Sequence, residues 1–457
     1  WGSLDAASIA GRIYDFTQDS QKSRVNYSPL LAQAYDGTEA SLPQGPANPQ
    51  IIINDGQALT SSRNLSLTTS ASATAGSTVT EMRITQDVQE LIGSEEGYQA
   101  YQTSQSVQLP EQIGTYYLYA QFRDSALETS AIAFSTIDYL PPNILKDTID
   151  QDRTLGLNHS PYTVVSDLVI SNGVTLTIEA GVEIEFDGVY RIEVNGSLIA
   201  EGQAEQRITF TRSDSREGSW IGIEFKSGSN QGRISYCDFS HSQTTISGGN
   251  AVSQLTHSTF SHISAPGIIS LNSATVEDNQ FNLTPGNPSL VLTINGGSVR
   301  RNSFVGGANG IAASGTVVVE DNNLTNLSGS GIRISTAGNQ MRIENNNLSN
   351  CGVGISLSVD GGSGQVRYNN IDGCSTGVVL EGGNQASSLA GWQVAYNNLT
   401  SSSQYAVRCE NNRQTISEID LGLNWWGSLD AASIAGGIYD FTQDSQKSRV
   451  NYSPLLA

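Results

Sequence analysis

Three clustered histidines, a series of acidic doublets and two evenly spaced cysteines are the side chains of this chain that could do chemistry. His241, His257 and His262 lie within about two dozen residues, and imidazoles that converge can move protons or hold a metal. Glu277-Asp278, Glu320-Asp321 and Glu344 recur at similar places before asparagines. Carboxylates repeated in that way could form a stripe facing a cation or a sugar, since glycoside cleavage works with carboxylate pairs. Trp220 and Trp392 offer rings on which a sugar could stack. The competing reading is plainer: the acids lie on a solvated face next to Arg300, Arg301, Arg342 and Arg367. The histidines then read as corner residues and the tryptophans as loop packing. No nucleophile, base and acid fall into one constellation, so no catalytic, cofactor-binding or metal-ligating residue is assigned and the chain is expected not to be an enzyme.

The elements that would have to position such groups are legible from a second pattern. An apolar residue follows a polar pair at Phe239, Phe260, Phe281, Phe304, Leu324, Leu348, Ile371 and Leu399, every 20 to 28 residues. Two places before it stands asparagine in six successive cases: Asn279, Asn302, Asn322, Asn346, Asn369 and Asn397. A coil stacked turn on turn brings equivalent side chains to about 4.8 Å. At that spacing amides can donate and accept along a ladder, which satisfies groups otherwise buried unpaired. Asparagine also tolerates left-handed corners.

Cys351 and Cys374 occupy one slot on successive turns. They read as stacked buried thiols. A disulfide between turns is the sharper alternative, because stacking brings Cα atoms into the range of about 4.4–6.8 Å that a disulfide requires.

The register survives eight turns, and segments such as VTLTIEAGVEIEF (174–186) and YRIEVNGSLIAEG (190–202) resemble the opening turns of bacterial right-handed parallel β-helix repeats of the pectate-lyase-like fold. NWWGSLDAASIAGGIYDF (424–441) resembles the segment that closes such helices. Ahead of them, IIINDG, TEMRIT and YLYAQFRD resemble the immunoglobulin-like domains that recur in large bacterial surface proteins. Asp124-Ser125-Ala126-Leu127-Glu128 stands where the usual Gly-Asn would be, so fold is implied and an ion site is not. Signatures of polygalacturonase-like enzymes (NTD, paired Asp, GHG, RIK) are missing. The expected class is all-β: an immunoglobulin-like sandwich over 48–142, a right-handed parallel β-helix over 143–424 and a short helical capping tail over 425–457. In that tail Ser428 is expected to cap a helix whose buried side carries Ile434, Ile438 and Phe441.

Residues 1–32 match 426–457 with one change, Arg12 against Gly437. A chain that opens on the end of one unit and closes on the end of the next is expected to be a window on a tandem array, with 1–32 the capping tail of a preceding repeat and 33–47 a linker. Charged residues make up 15% of the chain and the net charge is −21, which argues against nucleic acid as a partner. No apolar run approaches the length of a membrane span. The expectation is a structural repeat unit of a long extracellular or cell-surface fibre, with no cofactor. Its partners would be copies of itself, or a polysaccharide, host or substratum surface. The alternative is a polysaccharide-binding or polysaccharide-cleaving surface protein that uses the β-helix flank.

Overall fold

The computed structural model describes residues 9, 45–74, 76–92, 94, 96–248, 251–264, 269–283, 290–359, 361–382, 389, 391–410 and 418–456. The tail expected over 1–32, Ile9 excepted, and the linker expected over 33–47, as far as residue 44, fall outside them. Contacts divide the chain into Trp1–Pro142 and Asn143–Ala457.

In the first unit, short alternating segments form the strands β1 (Ala47–Ile53), β2 (Leu59–Thr60), β3 (Asn64–Ser72), β4 (Val79–Thr85), β5 (Gln99–Ala100), β6 (Ser104–Gln108), β7 (Gly114–Asp124) and β8 (Ala133–Tyr139). They build two sheets, β1-β3-β6 and β2-β8-β7-β4-β5. Because successive strand side chains point to opposite sides, Leu65 and Leu67 of one sheet turn inward with Met82, Leu118, Ala120 and Phe122 of the other. The result is a sandwich-like pair of sheets around one apolar core.

The second unit is a right-handed parallel β-helix. Each turn contributes a residue to three parallel lanes. On the first face Ile234, Leu255, Val276, Val299, Val319, Ile343, Val366 and Val394 are in register. On the second face Phe210, Phe239, Phe260, Phe281, Phe304, Leu324, Leu348, Ile371 and Leu399 are in register. The third face carries Ile223, Ile246, Ile269, Leu292, Ile311, Ile332, Ile355, Val378 and Val407. All of these point into a single core. The strand spacing forces the phenylalanines into a face-to-face column, with centroids 4.9, 5.1, 4.8 and 4.4 Å apart from Phe210 to Phe304. Trp220 closes its upper end, stacked 4.1 Å over Phe186, with its indole N–H donated to Ser240 O at 2.8 Å. It is fully buried and offers nothing to a ligand.

At the far end Ile438 extends the third lane beyond Val407, and Leu421, Trp426, Ile434 and Val450 join the core. The helix there, α1 (Ala431–Gly436), differs from the sequence expectation. Asp430 caps it, accepting from Ser433 N at 2.8 Å, while Ser428 accepts from Asp430 N. Ile438 lies in a strand because Gly436 and Gly437 end the helix after six residues.

Candidate functional site

The corner between the first and second faces positions the buried asparagines. Asn279, Asn302, Asn322, Asn346, Asn369 and Asn397 are all buried, and each donates both its backbone N–H and its Nδ2 to the Oδ1 of the next, at 2.9–3.0 Å. The remaining Nδ2 hydrogens reach main-chain carbonyls such as Leu255 O and Val276 O. Two members escape the sequence pattern. Ser258 starts the series by donating its N–H to Asn279, and Asn424 ends it by accepting from Asn397. Both stand two places before a core residue of their turn, Phe260 and Trp426, and that offset is the signal that could have found them.

Cys351 and Cys374 lie one turn apart, both buried and both free thiols. Ser375 N donates to Cys351 O at 2.9 Å across the same step. The contact with Cys374, with burial behind it, pushes the Cys351 thiol up, and burial does the same at Cys237. Cys237 and Cys351 are packing groups rather than nucleophiles.

The exposed chemistry lies on the second face and its two edges. Asn323, Asn347, Asn370 and Asn398, each next to a buried ladder member, point outward and form another amide ladder. Asn347 donates to Asn323 and Asn370 to Asn347 at 2.8 Å, and Asn398 donates to Asn370 at 3.4 Å. Beside it runs a second outward column, Thr325, Ser349, Asp372 and Thr400, in register turn by turn. Thr400 donates to Asp372 at 2.7 Å, and this hydroxyl with Ser401 holds the carboxyl low. Asn350 donates to Asn326 at 3.3 Å on the far corner.

The near corner is a file of non-glycine residues with left-handed backbone: Tyr236, His257, Asp278, Arg301, Asp321, Asn345, Tyr368 and Tyr396, with φ from 50 to 61°. Glycine or asparagine would adopt this conformation at lower cost, by about 1–2 kcal/mol relative to an ordinary side chain. Tyrosine, histidine and arginine are retained there regardless, and their side chains interact along the file. Tyr236 stacks on His257 at 4.4 Å, and Tyr368 on Tyr396 at 5.5 Å and 19°. Tyr368 is 55% exposed. Arg367 pairs with Gln393 just inside the tyrosines. Between the aromatic ends, Arg301 bonds Asp278 and Glu277 at 2.9 Å each. Its guanidinium holds Asp278 below the usual carboxylate range.

The other acids follow the same pattern. Arg342 reaches Glu344 at 2.9 Å and Glu320 at 3.4 Å, and Arg300 reaches Glu320 at 3.6 Å. The histidines divide. His257 lies 3.7 Å from Asp278, whereas His241 and His262 stack on the opposite corner at 5.0 Å and 6°. Those two stand at the same offset from Phe239 and Phe260, a regularity that grouping all three by proximity conceals. Burial, Arg212 and His262 keep the His241 imidazole low. At the upper end Glu183 and Glu185 face outward, and burial with the Glu183 and Asp214 charges pushes Glu185 up. Hydrogen bonds from Arg216 hold Asp187 low. Among the described residues no three such groups converge as metal ligands would. Trp392 is half-buried against the core above Gly364, where a Cβ would meet its ring at 2.7 Å.

Residues 245–421 match the family model described as a right handed beta helix region. Among solved structures the chain is similar to the Yersinia enterocolitica Family 28 exopolygalacturonase, with 11% identity, a TM-score of 0.30, and coverage of 84% of this chain and 92% of that one. No curated protein matches. The expectation that the chain is not an enzyme is corrected on this finding. It rested on missing sequence signatures, whose absence does not rule out catalysis. At that identity and TM-score the similarity assigns no activity and no substrate. No described helix is long and apolar enough to cross a membrane.

Proposed function

We propose that the chain binds a polysaccharide along the outer surface of the second face. The observation that carries this reading is the exposed ladder of Asn323, Asn347, Asn370 and Asn398, edged by exposed Tyr368 stacked on half-buried Tyr396. Sugar rings combine hydroxyls that need donors and acceptors with C–H faces that pack on aromatic rings, and this flank supplies both in a straight line. Each backbone position on it is fixed by two parallel neighbours, so binding orders few protein groups. The test is affinity for a panel of soluble polysaccharides, measured for the parent chain and for Tyr368→Ala/Asn370→Ala. A reducing-end assay on the same samples reports cleavage. A loss of at least tenfold in the variant supports the reading, and unchanged binding removes it.

The match between 1–32 and 426–457 favours a second reading, in which an immunoglobulin-like module and a β-helix recur along a longer extracellular fibre. Electron microscopy of the natural full-length protein tests it: regular fibres support the array, and dispersed particles do not.

A further inference from the structure

Resting on the polysaccharide reading, we infer that the ligand is a neutral, extended, β-linked glycan lying along the helix axis with one pyranose per turn. Three features of the second face lead to this class.

The first is spacing. Asn347 and Asn370 each spend one N–H and one lone pair on their ladder neighbours, whereas Asn323 only accepts and Asn398 only donates. An amide has two donors and two lone pairs, so one donor and one acceptor per turn remain to face outward. They repeat at the strand separation of about 4.8 Å. A β-1,4-linked chain is a flat ribbon that advances by a closely similar length per ring and presents equatorial hydroxyls along its edge. An α-linked glucan curls and loses the match after one or two rings.

The second is charge. Of the guanidinium groups along the face, Arg207 is committed to Asp238 at 2.9 Å, Arg301 to Asp278 and Glu277, and Arg342 to Glu344, while Arg367 meets the neutral amide of Gln393. Glu183, Glu185 and Asp372 face outward on its strands, and Asp321 is exposed at its corner. The chain as a whole carries −21. A uronate polymer would meet like charge along most of its length, and Arg207, Arg301 and Arg342 are already paired with carboxylates of the protein.

The third is the tyrosine pair. Tyr368 and Asn370 stand two residues apart on either side of buried Asn369, so a ring seated on the amide at Asn370 lies beside the tyrosine stack. Aromatic contact of this kind serves neutral rings as well as charged ones, and it is insensitive to salt.

The experiment is calorimetric titration of the full chain with β-1,4-linked gluco-oligosaccharides of two to six rings, a linear α-1,4 glucan, and polygalacturonate, at low and high ionic strength. Affinity is expected to climb with each added ring up to four, matching the four ladder amides, and to change little with salt. Asn347→Ala, an exposed substitution that leaves the core untouched, should weaken the four-ring ligand roughly fivefold, the value of one neutral hydrogen bond. Equal binding of the α-glucan would overturn the β-linked geometry. Tighter, salt-sensitive binding of polygalacturonate would overturn the neutral class while leaving polysaccharide binding intact. If no glycan binds, the polysaccharide reading falls with it.

Discussion

Asn346 donates twice to one atom of Asn369: its backbone N–H and its Nδ2 both reach Oδ1, at 3.0 and 2.9 Å. Asn322 does the same to Asn346, at 3.0 and 2.9 Å. Replacing Asn346 by leucine therefore strands the buried backbone N–H of Asn322, leaves its Nδ2 with Val299 O and Glu320 O alone, and deprives the Asn369 carbonyl oxygen of one of its two donors. At about 1–3 kcal/mol for a buried group left unsatisfied, the variant should lose about that much. Denaturant unfolding checks this, and a midpoint matching the parent would show that the ladder contributes little.

The aromatic column makes a contrasting prediction. Phe304 stacks on Phe281 at 4.4 Å, but the next residue in its lane is Leu324. A leucine at 304 meets a neighbour that already tolerates leucine, so Phe304→Leu should cost about 1 kcal/mol. Phe260→Ala, flanked by phenylalanine on both sides, opens a cavity and should cost about 3–5 kcal/mol. Thermal denaturation of both variants tests the difference, and equal losses would contradict it.

Tyr368 should separate function from stability. Its left-handed backbone suits glycine, so Tyr368→Gly is expected to gain about 1 kcal/mol while glycan affinity falls. Parallel unfolding and binding measurements decide. A variant that loses stability would place the tyrosine among the packing residues.

Acid should act on the Asp278–Arg301 pair in a defined direction. The folded carboxyl is held low by Arg301, so its contribution is complete above the ordinary value of about 3.9 and is lost as pH falls through the depressed one. Arg301→Gln removes the depression and should weaken the chain only at and above that window, modestly and less so in high salt because the pair is partly exposed. Stability of parent and variant should converge as pH falls below the depressed value, and a difference that stays constant through the acid range would refute the linkage.

All four cysteines are buried. A thiol reagent should label none of them in the folded chain and all of them in denaturant. Labelling of Cys351 or Cys374 under native conditions would show that the turn between them opens.

Much of the coil is readable in the sequence because a parallel stack imposes one residue type per slot, and Asn279 through Asn397 sit at one offset from an apolar residue. The outer ladder hides in the same words. In Asn322-Asn323, Asn346-Asn347 and Asn369-Asn370 the leading asparagine accounts for the pattern by itself and leaves its neighbour unremarked, although an outward residue must stack whenever an inward one does. The corner file is invisible for another reason. Nothing about Tyr368, Arg301 or His257 signals a left-handed backbone; the two flanking strands impose it, overriding local preference. The helix cap is ambiguous because Ser428 and Asp430 are both good capping residues, and only the position of the chain reversal chooses between them. In sequence the arginines signify a solvated face, whereas their pairing in space spends the positive charge of Arg207, Arg301 and Arg342 on the protein's own carboxylates.

The last rung of the inner ladder is turned back on its own chain. Asn424 gives both Nδ2 hydrogens to carbonyls, Val394 O at 2.9 Å and Leu421 O at 2.8 Å. A stack of amides is otherwise a template on which any similar coil could seat itself, the route by which open-ended β structures aggregate. With both Nδ2 hydrogens of its last member spent on carbonyls, this ladder has one direction, from Ser258 to Asn424, and it stops within its own coil.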